Sequence, residues 1–185
     1  MSESTGPARR RFPRRHPVVT VLVLVIVAFV VASAVLFVWP ASDQPRRVDA
    51  IVSLNGESEI AREAKAVSLA KHGYAPLLLF SQGGNSADTS CPKVSGVRVV
   101  CFVPNPPHTF GEIKWVANYA HRHDLHSLMI VPGGTQVTQA RLLMQRCYTG
   151  QIVMVPAWEG VLHVPYQVIY EWGALAKALV TDQHC

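Results

Sequence analysis

The chain has 185 residues, a formal charge of +5 at pH 7 and a sequence pI of about 9.2. Its length accommodates one apolar segment plus one domain of about 140 residues and excludes two catalytic domains. The charge is not a nucleic-acid signal, because five arginines and one glutamate lie before Pro17, the remainder is close to neutral, and no basic stripe interleaved with aromatics follows.

Residues 1–17 form a basic tail in which Arg9, Arg10, Arg11, Arg14 and Arg15 precede an uncharged run from Val18 to Val38, broken only by Thr20 and Ser33. About 20 apolar residues cross the hydrocarbon of a bilayer. The run therefore predicts a transmembrane helix over residues 18–39, closed by Trp39 at the interface and by Pro40. Arginines ahead of a span resist translocation, so the N-terminus is expected in the cytoplasm and the domain on the extracytoplasmic side of the plasma membrane. Ala32-Ser33-Ala34 also has the small-x-small form of a signal-peptide cleavage site. Cleavage there would leave Val35–Trp39 as an apolar new terminus, which favours an uncleaved anchor; both readings put the domain outside.

A polar linker, residues 40–47, leads into the domain, residues 48–185. Short apolar runs there alternate with amphipathic ones, the pattern of a parallel sheet covered by helices. Strands are expected at Asp49–Leu54, Leu77–Ser81, Val97–Phe102, Ser127–Val131 and Gln151–Val155. Helices are expected at Glu59–His72, Phe110–His121, Val137–Cys147 and Pro165–Val180, the first ending at Gly73 as a C′ residue. The fold class is α/β: a Rossmann-like open, mainly parallel sheet with flanking helices, preceded by one transmembrane helix. Gly83–Gly96 shows no helical period. A parallel pair needs a crossover there, so either a short helix lies in Asn85–Val94 or the third strand falls elsewhere.

Cys91, Cys101, Cys147 and Cys185 all follow the apolar run, in a compartment where disulfides are the rule. Four thiols allow three pairings, and none of the spacings is that of a zinc site. The favoured pairing joins Cys91 to Cys101 across a short loop and Cys147 to Cys185 at the C-terminus.

Ligands of open parallel sheets bind beyond the carboxyl ends of the strands. The residues there are Asn55-Gly56-Glu57-Ser58, Gln82-Gly83-Gly84-Asn85, Pro104–Thr109 and Pro132-Gly133-Gly134-Thr135-Gln136, small and polar enough to admit an anion to backbone amides. Each has a plainer explanation. Gly-Gly pairs make tight turns, Thr109 and Glu112 fit a capping box, and Arg62 suits the surface of the first domain helix. His121, His123, Asp124 and His126 lack the spacing of metal ligands and fit a solvated helix end, so no metal is assigned. The chain contains no Gly-x-Ser-x-Gly, no Gly-x-x-x-x-Gly-Lys, no Gly-x-Gly-x-x-Gly and no His-Glu-x-x-His.

The motif order resembles the YdcF-like family of bacterial envelope proteins, over Val48 to about Ala178. The residues carrying the resemblance are Val48-Asp49-Ala50-Ile51-Val52, Asn55-Gly56, Arg62, Ser81-Gln82-Gly83-Gly84, Thr109, Glu112 and Gln136–Leu143. Cys91, Cys101 and Cys147 look like those of its actinobacterial members. The resemblance implies a Rossmann-like fold and a pocket lined by Asn55, Gly56, Arg62, Ser81, Gly83, Gly84, Thr109, Glu112 and Gln136. Where such proteins carry Thr-Ser, then His, then Arg, this chain has Pro132, Gly133, Gln136 and Gln139. Glutamine hydrogen-bonds but neither shuttles a proton near neutral pH nor neutralises a phosphate.

The expectation is a membrane-anchored protein of cell-envelope biogenesis that binds a small anionic or nucleotide-like ligand, with catalysis left open. Its alternatives are a transferase or hydrolase of phosphorylated cell-wall or lipid-carrier intermediates, using Glu112 or Glu57 as base, and a scaffold pairing through Ala28, Ala32 and Ala34 of its span. No cofactor is assigned.

Overall fold

A computed structural model describes residues 17–55, 59–82, 91–158 and 164–185. The first element, α1 (Pro17–Ser33), runs into a π-helical turn, Ala34–Val38, which ends where the Trp39 N–H donates to the Ala34 carbonyl at 2.8 Å. Pro17–Val38 is long and apolar enough to cross a membrane.

After it come β1 (Ala50–Ser53), α2 (Glu59–Lys71), β2 (Leu77–Ser81), β3 (Arg98–Phe102), α3 (Thr109–Arg122), β4 (Ser127–Val131), a 3-10 turn (Gly134–Gln136), α4 (Val137–Cys147), β5 (Gln151–Met154) and α5 (Val164–Val180). The strands form one five-stranded sheet in the order β3-β2-β1-β4-β5, every pair parallel. This is the open α/β sheet the alternation of patterns predicts. The expected element ends shift by at most one residue. The first strand, for example, starts at Ala50, although the Asp49 N–H already donates to the Ser127 carbonyl at 3.1 Å.

Central strands read as unbroken apolar runs because helices cover both faces of the sheet. On one face Val52, Leu79 and Ile130 pack against Ile113 and Val116 of α3 and Leu143 of α4. On the other, Ile51, Leu78 and Met129 meet Ala66 and Leu69 of α2. Burying each large side chain contributes about 1.5–3 kcal/mol. α2 ends as expected, with Gly73 at φ 75° and its N–H bonded to the Ala70 carbonyl at 3.0 Å.

The third strand stands where the sequence places it, so of the two alternatives for the crossover the displaced strand is ruled out. Residues 83–90 lie outside the described residues. The remainder, Cys91–Val97, is irregular and inserts Val94 into the core beside α2. A disulfide joins Cys91 to Cys101 on β3, and another joins Cys147 at the end of α4 to Cys185, with Cα separations of 5.9 and 5.3 Å.

The polar segment at residues 40–47 is packed on the domain through Ala41 and Asp43. Residues 33–185 form one compact unit. Asp43 pairs with the outer edge of β5: its N–H donates to the Met154 carbonyl, and its carboxylate accepts from the Met154 N–H, each at 2.8 Å. Arg141 of α4 donates to the same carboxylate at 2.9 Å and to the Ala41 carbonyl at 3.0 Å. An edge strand needs its free amides covered, and a short polar segment does this here. Phe37 is fully buried, its ring 5.3 Å from that of Trp172.

Candidate functional site

The strand order reverses between β1 and β4, since β1 continues to β2 on one side and β4 to β5 on the other. The crevice beyond the carboxyl ends of those two strands is the expected ligand position of such a sheet. Five of the predicted site residues meet there, from five segments of the chain.

Arg62, from the first turn of α2, is completely buried. Its Nη1 donates to the Asn55 carbonyl at 2.7 Å, beyond β1, and to Gln136 Oε1 at 2.8 Å, beyond β4. The same Gln136 oxygen accepts the Gly133 N–H at 3.2 Å. The Asn55 N–H in turn donates to Glu112 Oε1 at 2.6 Å, bringing in α3. Ser81, at the end of β2, lies buried beside Glu112. Burial pushes the Glu112 carboxyl above its ordinary range, although the Ser81 hydroxyl, the Asn55 amide and the Arg62 charge all favour its ionised form.

Two plainer readings of these residues are thereby overturned. Arg62 is no surface residue: it is completely buried, and its Nη1 bonds two other segments of the fold, at Asn55 and Gln136. Thr109 and Glu112 form no capping box: His108 is the N-cap of α3, no side chain caps the helix, and Glu112 spends its carboxylate on Asn55. Helix position alone could not reveal this, because the partner of Glu112 is 57 residues away.

Thr109 stands apart from the cluster. It lines a separate cleft of about 400 Å³ with His108, Gln139, Ile169, Tyr170 and Lys177. There Lys177 Nζ lies 3.2 Å from His108 Nε2. Burial and the Lys177 charge hold the His108 imidazole below its ordinary pKa, against the opposing pull of Asp182. Gln139 uses its amide on the Ala174 carbonyl of α5 at 3.3 Å, so it braces two helices and is absent from the crevice. Gly56, Gly83 and Gly84 lie outside the described residues. His108 and Lys177 carried no sequence signal, being 69 residues apart.

Among the described residues no group of three His, Cys, Asp or Glu side chains could hold a metal. The His121–His126 segment places His126 Nε2 3.6 Å from an exposed Asp124 carboxylate. Chemically, the crevice floor is the Arg62 guanidinium with the Glu112 carboxyl nearby and amide and hydroxyl groups around them. It can hydrogen-bond a ligand held above it, and Glu112 can carry a proton.

Comparison of the chain with protein-family models, curated proteins and solved structures finds no match. The fold and the cluster thus define a class, a doubly wound α/β domain with a polar crevice floor, following an apolar helix that is long enough to span a membrane.

Proposed function

We propose that the protein is a membrane-anchored, extracytoplasmic, YdcF-like protein of the cell envelope that binds a small anionic or nucleotide-like ligand over the crevice between β1 and β4. The observation carrying the binding claim is the convergence of Asn55, Arg62, Ser81, Glu112 and Gln136 at the topological switch point. The anchor reading is supported by the apolar length of Pro17–Val38, the arginines ahead of it and the two disulfides beyond it.

A thermal-shift screen of the full chain in detergent tests the binding claim, with nucleotides, sugar nucleotides, S-adenosylmethionine and isoprenoid phosphates as probes. A ligand at about 100 times its Kd adds roughly 2.7 kcal/mol to stability. The expected result is a raised midpoint with one class that is lost in Gln136→Ala; no shift with any class rejects the reading.

One observation favours the enzymatic alternative: Glu112 is a buried carboxyl with a raised pKa, a common property of acid/base residues. Turnover of an isoprenoid or sugar-linked phosphate that is lost in Glu112→Gln, with binding retained, would support it.

A further inference from the structure

The last helix, α5, is apolar on both of its sides. Inward it buries Leu175 and Ala178. Outward it presents Tyr166, Ile169, Tyr170 and Val180, exposed by 65%, 74%, 60% and 72%. Lys177 is the single charged residue on that outer side, since the helix's one acid, Glu171, is buried. By contrast α3 exposes His121 and Arg122, and α2 exposes Lys65 and Lys71 together with the single large apolar residue Ile60. An exposed face with so many apolar residues belongs against protein or against lipid.

Its neighbour decides between these. Trp172, one step round the helix from Ile169, packs on Phe37 and donates its Nε1–H to Ser33 Oγ at 2.9 Å. Ser33 and Phe37 belong to the last turns of the Pro17–Val38 run. Where that run leaves the bilayer, the surface of α5 adjoining it must lie at the boundary between lipid and water. Tyrosine, with an apolar ring and a polar tip, is favoured at that depth.

We propose that α5 rests on the membrane surface, with Tyr166, Ile169 and Tyr170 entering the headgroup region. This rests on the membrane-anchor reading above. The bilayer, and not a second copy of the chain, is the occupant, because Trp172 on the flank of this face packs on Ser33 and Phe37, the residues that end the apolar run.

The test uses the full chain reconstituted in vesicles of phosphatidylcholine and phosphatidylglycerol. Photoreactive benzoylphenylalanine replaces Tyr166, Ile169 or, as a control on α2, Lys71. Position 166 is a near-conservative exchange, so the test does not depend on tolerance at 169. Irradiation is expected to give lipid adducts at 166 and 169 and none at 71. Absence of lipid adducts at both positions, or a cross-link to a second protein copy in their place, overturns the proposal. Alkaline carbonate extraction separates the two readings: protein released from the vesicles refutes the anchor and this inference with it, whereas protein retained without lipid adducts refutes the docking alone.

Discussion

Arg62 Nη1 lies 2.8 Å from Gln136 Oε1, joining the helix after β1 to the turn after β4 across 74 residues of sequence. With Glu112 close by, this is a buried charge bonded by residues outside its own helix, Asn55 and Gln136. Removing one member of such a set leaves the others unpaired, at a cost of about 3–5 kcal/mol. Arg62→Ala is expected to lower the unfolding free energy by that amount in urea titrations of the full chain in detergent. Replacing both charges, as Arg62→Met with Glu112→Leu, is expected to cost less than Arg62→Ala alone. A larger loss in the double variant would mean that the two residues are not coupled.

Gly111 sits in the first turn of α3, where a Cβ would overlap the carbonyl oxygen of Pro106. Backbone cannot yield as a flexible side chain can, so Gly111→Ala must displace either the turn before α3 or the start of the helix. Overpacking of this kind costs about 1–3 kcal/mol. Because Glu112 is the next residue, the displacement is expected to raise hydrogen exchange at the Asn55 amide as well. Unchanged exchange there would show that the crevice floor does not depend on the position of α3.

Asp49 controls part of the response to acid. Burial pushes its carboxyl upward, but the His126 N–H, the Ser127 hydroxyl and the Ser127 N–H, donating at 2.8, 2.9 and 2.8 Å, outweigh this and hold it below its ordinary range. A carboxylate depressed in the folded state adds stability that is fully present above its unfolded pKa of about 3.9 and is lost as pH falls through the folded value. Asp43 has the same sign. Glu112 has the opposite one: its contribution is complete below its unfolded value and declines as pH rises through the raised folded value. Asp49→Asn is expected to cost about 1–2 kcal/mol at pH 7, a figure reduced for partial exposure. The difference from the parent protein should close as pH falls below 4, as read by unfolding at a series of pH values. A gap that persists at low pH would exclude the ionised carboxylate as its source.

The two disulfides close loops of different length, with sequence separations of 10 and 38. In the chain-entropy account the longer loop stabilises more, about 3–4 kcal/mol against roughly 2–3 for the shorter. Cys185→Ser is therefore expected to lower the midpoint of thermal unfolding more than Cys91→Ser does. Cys185→Ser should also release the tail after α5 to proteolysis. A greater loss from Cys91→Ser would show that the irregular crossover, and not the C-terminus, is the weaker part of the fold.

Much of the architecture was legible in the sequence because it rests on local periodicity. Leu77–Ser81 and Ser127–Val131 are short apolar runs bounded by turn residues, and Val137–Cys147 repeats at helical spacing; each element stands at those residues. The apolar length from Val18 to Val38 and the arginines before it also belong to the sequence alone. The rule that ligands lie beyond the strand ends brought Asn55 and Gln136 into consideration, and the family resemblance added Arg62, Ser81 and Glu112.

Tertiary structure decided what those residues do, because their partners are remote in the chain and a linear pattern carries no record of them. Glu112 in a helix's first turn could cap that helix or reach Asn55, and only the docking of α3 beside β1 settles that it reaches Asn55. Arg62 lies on a helix whose period permits either face; packing across the switch point buries it completely. Residues 40–47 read as a polar linker, yet Asp43 caps an edge strand more than 100 residues later, at a separation of 111. The apolar outer side of α5 likewise became visible only when the sheet showed which side of that helix was already covered.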